Sequence, residues 1–402
     1  MENTEPLIER LGTGEGHLCV DGWSSPRLWE HQGGVQLAIV DLPTAAHTVL
    51  QARAGADDWL HNRASLTFTL HHSRMDGPQE ALLMLRETLL RVRDLLAERA
   101  AVYVFADPRL SAQARLLCDE VFGRGAFRNE IVWAHGSGKR PRGHFTRVHD
   151  TILFYAKGAG IFNPEASGRR RGAEPTNHMR RSVDAQGRVY FARVKGGREL
   201  RYFEDDIVSL GDVWTDIPEL TPRDAERIGW EGQRPEALIE RIVRSSSHAG
   251  GIVLDACSGA GTVAAAAHKA GRRAVAVAEG PFERLLFRRR VLETGARDYT
   301  IEHPALTPDS AQASVRFAGG LAYLPELTPG AGQGSLLDDG GTLDGWLAGL
   351  LRGNEFTVSG VSMRTRGNPA LRLSLPLGEG EGTPAALLCD AGAQTKLVVG
   401  RE

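Results

Sequence analysis

A short glycine-rich run, Leu254-Asp255-Ala256-Cys257-Ser258-Gly259-Ala260-Gly261-Thr262, separates an apolar strand-like stretch (251–254) from an Ala-rich helical stretch (263–270). Only a residue without a Cβ lets the backbone turn sharply after a strand and approach a ligand closely. The run therefore predicts one strand-turn-helix unit of a nucleotide-binding α/β fold. By itself it leaves a ligand cradle and a purely structural turn equally open. Its place in the chain says more. In an ordinary dinucleotide-binding chain such a unit opens the domain, whereas here about 250 residues precede it.

The flanking strings narrow the choice. Gly232-Gln233-Arg234-Pro235-Glu236-Ala237-Leu238-Ile239-Glu240-Arg241-Ile242 reads as a helix with Pro235 in its first turn and Leu238, Ile239 and Ile242 on one face. Upstream lie Asp212-Val213-Trp214-Thr215-Asp216-Ile217-Pro218, Val148-His149-Asp150-Thr151-Ile152-Leu153-Phe154-Tyr155, and Asp119 to Gly123 followed by Phe127 to Trp133. These strings, in this order, resemble the β-class DNA amino-methyltransferases, a family that includes the modification subunits of type III restriction systems. The resemblance covers about residues 30 to 290. It implies a Rossmann-like α/β methyltransferase fold with permuted motif order: catalytic motif first, target-recognition region next, S-adenosylmethionine turn last.

The position matching the catalytic motif reads Val35-Gln36-Leu37-Ala38-Ile39-Val40-Asp41-Leu42-Pro43-Thr44, where the family has Asp-Pro-Pro followed by Tyr or Phe. The family flips its target base out of the duplex, because the exocyclic nitrogen is out of reach inside the stack. By resemblance, Asp41 accepts a hydrogen bond from that amine. A carbonyl of Leu42 or Pro43 accepts the second, which makes Asp41 and Pro43 the expected catalytic residues. Two fixed acceptors aim the nitrogen lone pair, so catalysis rests on positioning and electrostatics without a metal. Thr44 cannot stack on the base, a contact that contributes about 1–3 kcal/mol; Trp59, Phe68 or Trp133 are candidate substitutes.

The cofactor motif departs from the family pattern too. Asp255, Gly259, Gly261 and Thr262 match, and Ala256 and Cys257 replace the family's Pro and Phe. The next strand should end in an acid that binds ribose hydroxyls. Ala278 aligns there and Glu279 falls one residue later, so Glu279 serves only if the strand ends early or bulges. The expected cofactor contacts are thus Asp255, Gly259, Gly261, Thr262 and Glu279. Gly232 and Arg234 replace the usual Thr and Lys, and Arg keeps the charge with a different hydrogen-bond geometry.

Between His135 and Arg201 the chain carries about fifteen Lys and Arg against about five acidic residues, although the whole protein has a formal charge of −2. Such asymmetry is a phosphate-binding footprint. Lys139, Arg140 and Arg142, together with Arg169, Arg170 and Arg171, are its densest clusters and the expected DNA contacts. A cluster of Arg alone also fits a solvated loop.

Two readings remain open. One is a DNA methyltransferase using S-adenosylmethionine through a variant pocket; Asp rather than Ser at position 41 directs the resemblance to adenine N6. The other is a fold that has lost catalysis and serves as a DNA-recognition or partner-binding subunit. Retention of Asp41, Pro43, Gly259 and Gly261 favours the first, and Thr44, Ala256 and Ala278 favour the second. Related enzymes are often dimers, so a homodimer or a restriction-system partner is implied by resemblance alone.

Four widely spaced cysteines and the lack of an apolar run of membrane-spanning length predict a reducing, cytoplasmic setting. His71 and His72 have no Cys or carboxylate at ligand spacing, so no metal site is expected. Residues 80–106 read as an amphipathic helix running into a buried strand. The expected organisation is a methyltransferase-like domain over 1–300, with 134–210 as a recognition insertion. After about residue 300 short alternating runs separated by Gly and Pro predict a small β-rich C-terminal domain over 301–402.

Overall fold

A computed structural model describes residues 5–41, 49–53, 67–72, 78–136, 141–172, 179–208, 210–221, 223–228, 230, 232–306, 315–324, 343–363, 371–390 and 395–400. Its spine is a 14-stranded mixed sheet. In the middle, strands His17–Asp21, Arg273–Ala278, Ile252–Asp255, Val35–Val40 and Leu96–Ala106 lie side by side and parallel. His149–Lys157 then pairs antiparallel with Leu96–Ala106, and Phe127–Ala134 pairs antiparallel with His149–Lys157. This is the doubly wound α/β sheet expected from the sequence, entered late in the chain by its glycine-turn strand.

Both faces are covered, which is why the strands are apolar on both sides. Leu37 and Ile39 pack with Leu238, Ile239 and Ile242 of the Glu236–Ser246 helix and with the Thr262–Lys269 helix. Ala38 and Val40 point the other way, onto Leu85, Leu89 and Val92 of the Pro78–Leu95 helix and Ala114 and Cys118 of the Ser111–Phe122 helix. The Pro78–Leu95 helix passes directly into the Leu96–Ala106 strand. Its residues recur on one face at helical spacing until the pattern turns into a continuous apolar run.

The region 134–210 is only partly an excursion from this sheet, since His149–Lys157 is one of its inner strands. Beyond Lys157 the chain builds a separate three-stranded antiparallel sheet from Arg180–Val183, Val189–Lys195 and Arg198–Phe203. Gly196 and Gly197, both at positive φ (59° and 76°), close its second hairpin, the tight turn that favours glycine pairs.

The C-terminal region is β-rich, and its strands continue the same sheet. Tyr299–His303, which spans the 300/301 boundary, pairs parallel with His17–Asp21 and antiparallel with Leu7–Leu11. Leu7–Leu11 in turn pairs parallel with Glu355–Met363, which leads a meander through Leu343–Arg352, Thr383–Asp390 and Thr395–Val399. An N-terminal strand thus splices the C-terminal strands onto the core. The junction is locked by a fully buried charge cluster. Glu9 accepts hydrogen bonds from Arg288 Nε (2.8 Å), Tyr299 Oη (2.8 Å) and His303 Nε2 (2.8 Å), and pairs with Arg288 Nη2.

Candidate active site

The glycine turn is pinned to the strands on either side. The Ala256 N–H donates to the Ile39 carbonyl (3.0 Å) and the Ser258 N–H to the Val277 carbonyl (2.9 Å). Gly261, at φ +67°, forms the left-handed step that opens the Thr262–Lys269 helix. Gly259 is required for a different reason. A Cβ there would lie 2.6 Å from the Trp230 indole nitrogen, so the turn is shaped by a side chain from the 219–234 segment as well as by any ligand.

Above the turn, at the carboxyl ends of the parallel strands, lies a cavity of about 560 Å³. This is the usual place and size for a small-molecule site in a doubly wound sheet. The chain leaves Ile252–Asp255 for Arg273–Ala278 on one side, and leaves Val35–Val40 for Leu96–Ala106 on the other. The crevice between Asp255 and Asp41 is therefore the switch point. Asp41, Asp255, Gly259, Gly261, Thr262 and Glu279, drawn from three separate chain segments, all line this cavity. Pro43, like Leu42, Thr44 and Trp59, lies outside the described residues, and only the backbone of Phe68 is described. Of the three rings considered as substitutes for the missing motif aromatic, Trp133 lines the cavity, with its indole N–H donating to the Ile217 carbonyl (2.8 Å).

Glu279 owes its place to where the strand stops. Arg273–Ala278 ends where the Gly22 N–H donates to the Ala278 carbonyl (2.8 Å). Glu279 follows in the turn, free of the strand's alternation, and reaches the cavity from an exposed position while Ala278 is buried. Thr262 is buried, and its hydroxyl oxygen has no hydrogen-bond partner among the described residues.

The electrostatics centre on Arg234, which the sequence offered only as a replaced lysine. Its Nε donates to Asp41 Oδ2 (2.7 Å) and its Nη2 to Asp41 Oδ1 (3.0 Å), while its Nη1 pairs with Asp150. Burial alone would favour loss of the charge, but the two carboxylates outweigh it and hold the guanidinium firmly protonated. The plane lies over Phe105 (4.8 Å to the ring centre) and Trp133 (5.7 Å). Burial pushes the Asp255 carboxyl up to about 7; the Cys257 N–H opposes the shift and the Asp41 charge adds to it. Burial, with Asp255 adding to it, also raises the Cys257 thiol, which lines the same cavity.

Asp150 and Trp230 are among the cavity residues that sequence reasoning missed. Asp150 stood in a recognised string, and its register opposite Trp133 brings it to the site. Nothing local signals its pairing with a residue 84 positions away. The expected DNA contacts lie elsewhere. Arg142 and Arg170 are exposed, and Arg170 sits in a two-residue strand opposite Ile207. Arg171 packs over Tyr202 (4.7 Å). None of the three lines the cavity. Lys139 and Arg140 lie outside the described residues, as does the side chain of Arg169. The three-stranded sheet beyond Lys157 adds exposed cations at Arg180, Arg193, Lys195 and Arg198.

A family model described as DNA methylase matches residues 71–281, just over half of the 402-residue chain. The chain belongs to the DNA methylase family. Within this chain the matched span includes Asp150, Arg234, the glycine turn and Glu279, and the strand leading to Asp41 precedes it. Type II methyltransferase M1.MboII of Moraxella bovis is 28% identical over 252 residues, covering 59% of this chain and 82% of that protein. Type II methyltransferase M.EcaI of Enterobacter cloacae is 24% identical over 248 residues (50% and 55%). The DNA adenine methyltransferase YhdJ of Escherichia coli K12 is 25% identical over 194 residues (48% and 60%). The chain thus spans between about half and four-fifths of the length of these three relatives. Among its described residues no helix is long and apolar enough to cross a membrane.

Proposed function

We propose that the protein is an S-adenosylmethionine-dependent DNA amino-methyltransferase that modifies adenine N6. The observation that carries this reading is the convergence of Asp41, the Asp255–Thr262 turn and Glu279 on one cavity at the switch point of the sheet. The residues present fit the cofactor. Gly259 and Gly261 let the turn pack closely against Trp230 and Phe287, the Thr262 hydroxyl is buried without a partner among the described residues, and the place of Glu279 at the cavity supports a contact to ribose hydroxyls. Asp255, Gly259, Gly261, Thr262 and Glu279 would hold it. When bound, S-adenosylmethionine supplies an electrophilic methyl group.

The chain's own part is to orient the acceptor. Asp41 takes a hydrogen bond from the exocyclic amine of a flipped base, and a carbonyl of the Leu42-Pro43 segment takes the second, so the nitrogen lone pair is aimed without a metal or covalent intermediate. Trp133 lines the cavity wall, buried at 2% exposure with Arg234 and His135 against its ring. Asp at position 41, and the description of YhdJ as a DNA adenine methyltransferase, support adenine. The exposed cations of Arg142, Arg170 and the three-stranded sheet support backbone contacts to duplex DNA.

The test is calorimetric binding of S-adenosylmethionine with and without duplex DNA, followed by transfer of a tritiated methyl group to unmethylated genomic DNA and nucleoside analysis. We expect saturable binding, N6-methyladenine as product, and loss of transfer in Asp41→Ala. A folded protein that shifts DNA but binds no S-adenosylmethionine would mean that the fold serves recognition alone. N4-methylcytosine would overturn the base assignment.

A further inference from the structure

Three elements distant in sequence meet at one guanidinium. Asp41 follows the Val35–Val40 strand, Asp150 is the second residue of the His149–Lys157 strand, and Arg234 directly precedes Pro235 at the start of the Glu236–Ser246 helix. Arg234 engages both oxygens of Asp41 in parallel, at 2.7 and 3.0 Å, and spends its remaining terminal nitrogen on Asp150. Phe105 and Trp133 back the guanidinium. A planar fork with donors in fixed directions, held at two carboxylates and against two rings, leaves the Asp41 carboxylate little rotational freedom.

Each carboxylate oxygen can accept two hydrogen bonds, so each oxygen of Asp41, a cavity-lining residue, keeps acceptor capacity beyond its bond to Arg234. We propose that Arg234 is a positioning residue that presets the orientation of Asp41 and couples it to Asp150, so that the target amine meets an acceptor already in place. This rests on the reading of Asp41 as the amine acceptor. Stability is one consequence, because the three side chains keep only 21% to 25% exposure and losing the guanidinium leaves two carboxylates without their shared cation. Orientation is the other. A misplacement of about 1 Å at a reacting group costs about a hundredfold in rate. A lysine could neutralise one carboxylate but not grip Asp41 at both oxygens while holding Asp150.

The experiment is steady-state transfer to unmethylated genomic DNA by wild type, Arg234→Gln and Arg234→Lys, with melting temperatures measured in parallel. Arg234→Gln should lower kcat by about a hundredfold, with the KM for DNA within about threefold of wild type, at an assay temperature well below the melting temperature of every variant. Arg234→Lys should recover part of that loss, and Asp150→Asn should lower kcat less than Arg234→Gln. If wild type transfers methyl groups and Arg234→Gln keeps its kcat, the positioning role is wrong and the function stands. If the loss follows the melting temperature, or appears only in the KM for DNA, Arg234 is structural or a binding residue and the inference also fails. Wild type that transfers nothing overturns the functional reading and this inference with it.

Discussion

Replacing Glu9 by alanine should be among the most damaging single changes available to this chain. Glu9 is fully buried at the seam where the N-terminal strand joins the C-terminal strands, and it is the only carboxylate that Arg288 contacts among the described residues. Burial alone would raise its carboxyl, but Arg288 and His303 outweigh burial and hold it well below the usual carboxylate range. Glu9→Ala would leave the Arg288 charge buried with, among the described residues, the Cys389 sulfur (3.4 Å) and the His303 ring (3.4 Å) as its polar neighbours, and would strand the Tyr299 hydroxyl. Breaking a buried pair from one side costs about 3–5 kcal/mol. The further orphaned donors place Glu9→Ala at the upper end. With an unfolding entropy of about 2 cal/mol/K per residue, that is a fall of about 6 °C in melting temperature for a chain of this length. The assay is thermal and urea unfolding of wild type, Glu9→Ala, and the double change Glu9→Leu with Arg288→Met. The double variant removes both charges together and should recover most of the loss. A Glu9→Ala protein within about 1 kcal/mol of wild type would refute the reasoning. The pH dependence has a definite sign. A carboxylate lowered in the folded state contributes its stability above its unfolded pKa, near 4.5, and loses it as pH falls through the lower folded value.

Other outcomes follow from single sites. Gly261→Ala places a Cβ at φ +67° and 3.2 Å from the Phe287 Cα, so it should lose at least about 1–2 kcal/mol and weaken S-adenosylmethionine binding in calorimetry; an unchanged affinity would show that the turn does not cradle the cofactor. His17 accepts the Ala274 N–H at Nδ1 (3.0 Å) and donates from Nε2 to His268 Nδ1 (3.0 Å), and burial, reinforced by His268, lowers its pKa to about 4. A histidine lowered in the folded state stabilises above its unfolded pKa, so about 3 kcal/mol should be lost as pH falls from about 6.5 to about 4. His17→Gln should flatten that slope in urea unfolding, and an unaltered slope would assign it to other groups.

Much of the fold was legible because it is written in local repetition. The Leu238, Ile239 and Ile242 spacing forms the face that the Glu236–Ser246 helix buries. The apolar run after the Pro78–Leu95 helix becomes a strand buried on both faces. The glycines at 259 and 261 sit in the turn they announced, although at 259 the close neighbour is Trp230, which no spacing could reveal. Glu279 was ambiguous because alternation along an alanine-rich strand carries no mark of where pairing stops. The answer lay in the Gly22 hydrogen bond that ends it.

By itself the sequence determined which segments become strands, turns and helices, and in what order the site's segments arrive, because backbone sterics and the periodicity of burial act between near neighbours in the chain. Only the tertiary structure decided that Asp41, Asp150 and Arg234 form one unit across separations of 193 and 84 residues. It also decided that Glu9 and Arg288 would tie the C-terminal strands to the core sheet. A charge carries no label for its partner. The pairing is chosen by which oppositely charged groups are brought out of water together, and that is a property of the packed chain rather than of any stretch of it.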